Sequence, residues 1–173
     1  MEEYKILAMN FGSTSTKVAA YEGDTQLLQK VFHHSPEDLQ GVSSMEDNAA
    51  LRKPLILNYL KEQGVDLKEF DAIVGRGGLV RPLLGGTYAV NEKMLEESRS
   101  MKYGNHASDL GMRIAYDFGK GQAPVPTLWT VPVPMNLTPL ARYSGHAGDA
   151  APKPLPCAQP QGLRPGFLQR AWP

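Results

Sequence analysis

The sequence predicts an α/β fold, a mixed sheet with flanking helices. Three observations carry this. The chain opens with three strand-like runs joined by tight turns. It then alternates helical and strand-like patterns. No internal repeat is present, so a solenoid or propeller is not expected.

The elements follow in order. Residues 5–10 (Lys5-Ile6-Leu7-Ala8-Met9-Asn10) read as a buried strand. Gly12 to Thr16 is a small, hydroxyl-rich turn. Residues 16–21 alternate as a second strand, ending at Glu22-Gly23-Asp24, a hairpin signal. Residues 25–33 complete an antiparallel meander. The stretch 47–63 is helical, with Leu51, Leu55, Tyr59 and Leu60 on one face and Gly64 where a C′ glycine belongs. Pro54 suits only a first turn, which argues for a later helix start. Phe70 to Val74 is a short apolar strand running into Gly75-Arg76-Gly77-Gly78. Residues 91–99 form a helix with Asn91 as N-cap. Residues 105–118 form another, with Ala107, Leu110, Gly111, Ile114, Ala115 and Phe118 on one stripe. Val125–Val131 suits a strand that its prolines confine to a sheet edge.

Composition removes several functions. Lys+Arg and Asp+Glu are both 18, so no basic surface for nucleic acid and no polybasic membrane anchor is expected. The single Cys157 excludes an intrachain disulfide and points to a reducing compartment. The N-terminus lacks a signal-peptide pattern, and no apolar run approaches the ~20 residues of a membrane span. A cytoplasmic protein with no membrane partner is the expectation.

The averages hide a break. Residues 1–120 hold Pro36, Pro54 and Pro82; the other eleven of fourteen prolines lie in 121–173. That part has one acid, Asp149, and no isoleucine. Three segments result: 1–120 as the folded lobe, 121–147 as a remnant with weak element signals, and 148–173 as a disordered Pro/Ala-rich tail. The tail cannot bury enough apolar surface to offset its ordering entropy.

Two loops could carry chemistry. In Asn10-Phe11-Gly12-Ser13-Thr14-Ser15-Thr16-Lys17, Gly12 permits close backbone approach to a ligand. The hydroxyls and turn N–H groups can converge on phosphate oxygens, and Lys17 adds a point charge. Asn10 suits positioning of a magnesium-bound water or a phosphate. An ordinary Ser/Thr hairpin fits the same residues; the Walker A ending is missing. In the second loop, Gly75, Gly77 and Gly78 around Arg76 leave its guanidinium exposed on a bare backbone, able to grip a carboxylate or phosphoryl group. A surface arginine in a flexible turn fits equally. His106 suits a helix start or an active-site donor. His33 and His34 are expected in solvent at a strand end, and Ser35-Pro36-Glu37-Asp38 as a turn or helix start. No histidine pair has metal-ligand spacing.

Ile6 to Lys17 resembles the N-terminal signature of the acetate and butyrate kinases. Phe70 to Leu79, Gly85-Gly86-Thr87-Tyr88, Asn105 to Gly111 and Pro139 to Gly145 resemble butyrate kinases specifically. The likeness runs over 3–120 and resurfaces at 138–146. It implies the N-terminal lobe of an actin-like ATPase (ribonuclease H-like) fold and the reaction ATP plus a short-chain fatty acid to ADP plus acyl phosphate. It further implies ATP and Mg2+ as cofactors, butyrate or a branched analogue as substrate, and a homo-oligomer for the full-length family. By resemblance, Asn10 positions metal and phosphate. Gly12, Ser13, Ser15 and Lys17 hold ATP phosphates. Arg76 is catalytic and, with Gly77 and Gly78, binds substrate. Family members are about twice this length, so this chain alone is expected to be inactive. The loss of likeness over 127–137 and after 146 suggests frame slips in the gene. A non-catalytic actin-like nucleotide module and an acetate or propionate kinase relative are the alternatives.

Overall fold

The computed structural model describes residues 3–81, 86–122 and 127–131. Strand β1 (Lys5–Phe11) pairs antiparallel with β2 (Ser15–Glu22), which pairs antiparallel with β3 (Thr25–His33). The expected meander is present, with Gly23 at φ 55 in its second turn. Helix α1 (Met45–Glu62) then crosses to β4 (Ala72–Arg76), which lies parallel to β1. Strand β5 (Gly86–Ala89), α2 (Glu92–Arg99), α3 (Leu110–Gln122) and β6 (Thr127–Val131) complete the described chain. The sheet order is β3-β2-β1-β4-β6-β5, a mixed sheet as expected.

Alternation along the strands puts Leu7, Met9, Phe11, Val18, Ala20 and Ile73 on one face. There they meet Ile56 and Leu60 of α1 and Leu110, Ile114, Ala115 and Phe118 of α3. Each of these Leu, Ile, Val, Met and Phe side chains contributes about 1.5–3 kcal/mol on burial. Tyr88, Met94, Leu95 and Met112 form a second cluster. Ile6, Ala8, Asn10, Lys17, Val74 and Arg76 have the opposite parity and belong to neither cluster.

Four sequence expectations shift. Helix α1 starts at Met45, where Ser44 and Asp47 form a reciprocal cap, so Pro54 lies well inside it. Pro54 and Ala50 are exposed, so the Ala50 carbonyl, which loses its N–H partner, lies on the water-facing side of the helix. The inward stripe of α1 is Ala49, Arg52, Ile56 and Leu60; Leu51, Leu55 and Tyr59 are only partly buried. Strand β4 runs two residues later than its apolar run, because Gly75 and Arg76 pair with Met9 and Asn10. Strand β6 is not an edge. It pairs with β4 on one side and β5 on the other, and Pro126 and Pro132 fall just outside it.

Gly64 closes α1 at φ 71, and Asn91 caps α2 by accepting from the Met94 N–H at 3.0 Å, both as expected. Among the described residues, no helix is long and apolar enough to cross a membrane. The assignments for 132–173, including the tail, lie outside the described residues.

Candidate functional site

The turn joining β1 to β2 closes when the Gly12 N–H donates to the Ser15 carbonyl at 2.9 Å. A Cβ on Gly12 would stand 3.1 Å from Ser15 Oγ, which explains a glycine there. The turn is held from beneath by a residue the sequence did not mark. Arg52 of α1 is fully buried. Its Nη1 donates to the carbonyls of Gly12 (2.8 Å) and Ser15 (2.9 Å) and to Thr16 Oγ1 (3.1 Å). Its Nη2 donates to the Ser13 carbonyl at 3.0 Å. The Thr14 carbonyl accepts from the His34 N–H at 2.9 Å. Every carbonyl of the turn is thus engaged from within. Ser13 and Thr14 are exposed, and their N–H groups make no hydrogen bond among the described residues.

His34 is buried, contrary to the expectation of a solvated strand end; His33 alone is exposed there. His34 Nε2 lies 2.9 Å from Thr16 Oγ1. That hydroxyl already accepts from Arg52, so its proton is available to His34. Burial, then the charge of Arg52, pushes the imidazole below its ordinary pKa, which favours the neutral, accepting ring. Ser35 and Asp38 form a reciprocally bonded turn beyond it, as expected.

Lys17, Asn10 and Arg76 face one another across β2, β1 and β4, in one row on the sheet face opposite the α1 and α3 core. Arg76 Nη1 donates to Asn10 Oδ1 at 3.2 Å. Its Nε is buried with no partner among the described residues. Arg76 is therefore not displayed on a bare flexible turn. It ends a strand, partly buried, beside a fixed acceptor. The flanking glycines have separate tasks. A Cβ on Gly75 would fall 2.1 Å from the Gly111 carbonyl oxygen, so Gly75 lets α3 rest on the strand. Gly77 (φ 83) and Gly78 (φ 133) turn the chain away through conformations that favour glycine.

The loop after Gly78 is fastened by a second unmarked residue. Asp109 Oδ1 accepts from the Leu79 N–H at 2.5 Å, and Oδ2 from the His106 N–H at 3.3 Å. Burial, outweighing these bonds, pushes this carboxyl above its ordinary pKa. Its spacing three residues after His106 is that of a capping box, but neither residue is of the type that marks one in sequence. His106 itself is exposed and caps the short turn Ala107–Asp109 through Nδ1 and Ser108, the structural alternative of its two readings. Arg81 is tied to Glu97 of α2 by a bidentate ion pair.

The site suits an anion better than a bare metal ion. Asn10 Oδ1 is occupied by Arg76, and Lys17 is its neighbour on the other side. Among the described residues, no group of three or more His, Cys, Asp or Glu side chains can hold a metal. A Mg2+ positioned by Asn10 would have to take its other ligands from water and phosphate.

No family model matches the chain. Known relatives do. The chain is 40% identical over 145 residues to butyrate kinase 1 of Clostridium acetobutylicum, covering 83% of this chain and 41% of that protein. It is 38% identical over 144 residues to a probable butyrate kinase of Listeria innocua, covering 83% and 40%. The chain therefore spans about two fifths of the length of the curated relatives it matches. A propionate kinase structure from Francisella tularensis aligns with TM-score 0.45 and 17% identity, over 75% of this chain and 37% of that one.

Proposed function

We infer that this homologue of the butyrate kinases is the phosphate- and carboxylate-gripping part of an ATP-dependent carboxylate kinase. The observation that carries the reading is the row Lys17–Asn10–Arg76, one residue pair before the turn that carries the exposed Ser13 and Thr14. Two cations on one sheet face and two unpaired N–H groups in the adjoining turn suit a polyphosphate.

In the proposed reaction, a carboxylate oxygen of butyrate or a branched analogue attacks the γ-phosphorus of ATP. The bond to the β,γ-bridging oxygen breaks, and ADP leaves with those electrons. Such a transfer needs alignment and charge neutralisation more than covalent help. The turn amides, with the hydroxyls of Ser13 and Ser15, would hold phosphate oxygens. Lys17 would offset their charge. Arg76, kept in line by Asn10, would use its remaining N–H groups on the acceptor carboxylate or the travelling phosphoryl group. Gly77 and Gly78 would leave room beside it for the acyl chain. Mg2+ would arrive with the nucleotide, and no step here is assigned to it.

A chimera tests the reading. Residues 3–120 replace the matching segment of C. acetobutylicum butyrate kinase 1, and butanoyl phosphate is trapped as its hydroxamate. Activity with butyrate above that with acetate is expected. A folded chimera that binds nucleotide yet makes no acyl phosphate would overturn the reading; a preference for acetate would move the substrate assignment to the shorter acids.

A further inference from the structure

We propose that Arg52 is the positioning residue of the Gly12–Ser15 turn and its buried positive backing, and that a bound phosphate is the counter-ion this cation lacks among the described residues. The inference rests on the phosphate reading of that turn. Two observations carry it beyond that reading.

The first is charge. Arg52 is fully buried, yet its hydrogen-bond partners are three carbonyls and one hydroxyl. Among the described residues it forms no ion pair with a carboxylate, and its Nε has no partner. A buried charge is costly unless it is paired. Carbonyl dipoles offset part of that cost and leave a net positive field. The turn that supplies the three carbonyls is the part of the chain nearest that field.

The second is direction. A peptide unit whose carbonyl is drawn inward presents its N–H the opposite way. Arg52 draws in the carbonyls of Gly12, Ser13 and Ser15, and the His34 N–H draws in that of Thr14. The guanidinium fork therefore sets the outward aim of the turn amides before any ligand arrives. Thr16 locks the arrangement by accepting from Arg52 while bonding His34. A lysine at 52 would keep the charge but could not reach this many acceptors in a plane.

The test uses the 173-residue chain, labelled with 15N, and inorganic tripolyphosphate as the probe. In the wild type, the Ser13 and Thr14 amide signals should shift saturably. Arg52→Gln should weaken this binding by about tenfold or more, equivalent to one lost charge-assisted interaction. Arg52→Lys should recover only part of it, and should speed exchange of the Gly12 N–H while leaving β4 unaffected. Should the buried glutamine prevent folding, Thr16→Val serves, because it keeps the charge and removes one acceptor. Faster Gly12 exchange and weaker binding are expected there too. Unchanged affinity and exchange in the folded variants would overturn the role of Arg52 while leaving the phosphate site intact. Wild-type amides that ignore tripolyphosphate would overturn the phosphate reading and this inference together.

Discussion

Arg76, the last residue of β4, donates through Nη1 to Oδ1 of Asn10, the residue that pairs with it in β1, at 3.2 Å. The bond fixes a guanidinium at the end of a parallel strand pair, beside the turn that follows β1. In the chimera described above, Arg76→Ala should lower turnover by about 10²–10³ if the cation stabilises charge developing on the phosphoryl group. A loss below about tenfold would reduce it to a packing residue. Arg76→Lys should restore little, since a point charge cannot grip two oxygens at once.

Asn10→Ala frees that guanidinium without removing its charge. The acid's KM should rise and kcat should fall less than in Arg76→Ala, because orientation is lost while the field remains. Steady-state rates over a butyrate series measure both parameters. Equal damage to the two variants would mean that Asn10 itself touches the reacting atoms.

Gly75→Ala should destabilise the fold by about 3 kcal/mol, the upper end of overpacking costs, since its Cβ would meet backbone atoms of Gly111 rather than a yielding side chain. Urea unfolding followed by circular dichroism reads the change. A midpoint within error of wild type would show that α3 can slide away from β4 at no cost.

His34 links stability to acid. Its folded pKa lies below the ordinary value of 6.5, so below that pH the unfolded chain takes up a proton that the folded chain refuses. The contribution is fully present above pH 6.5 and is lost as pH falls toward the folded value. Protonation would place a second cation against Arg52 and turn Nε2 from acceptor to donor. Urea midpoints from about pH 7.5 to about pH 5 should fall more steeply for wild type than for His34→Gln. Parallel slopes would remove His34 from the account.

Asp109→Ala should leave the Leu79 and His106 N–H groups without their acceptor, at about 1–3 kcal/mol. Hydrogen exchange at Leu79 should rise by more than that at Met9 in β1. Uniform protection across both sites would show that the 77–81 loop is held by something else.

Local signals made much of the fold readable. The apolar run at 5–10, the alternation at 16–21, the turn glycines Gly23 and Gly64, and the Asn91 cap each encode their structure within a few residues. The turn after β1 is legible from Gly12 and its hydroxyl residues, and the one after β4 from Gly77 and Gly78, whose positive φ favours glycine, whereas Gly75 and Arg76 belong to the strand itself. What the sequence could not announce is which distant groups meet. Arg52 lies off the apolar face that the sequence assigns to its helix, and becomes intelligible only when α1 lays it under carbonyls forty residues earlier in the chain. His34 and Asp109 are likewise polar residues whose burial depends on partners elsewhere. The central place of β6 rests on pairings with β4 and β5, which no local pattern contains. Periodicity records a residue's own preference for water. The meeting of a buried charge with its dipoles is a property of two segments, and it exists only once the chain has brought them together.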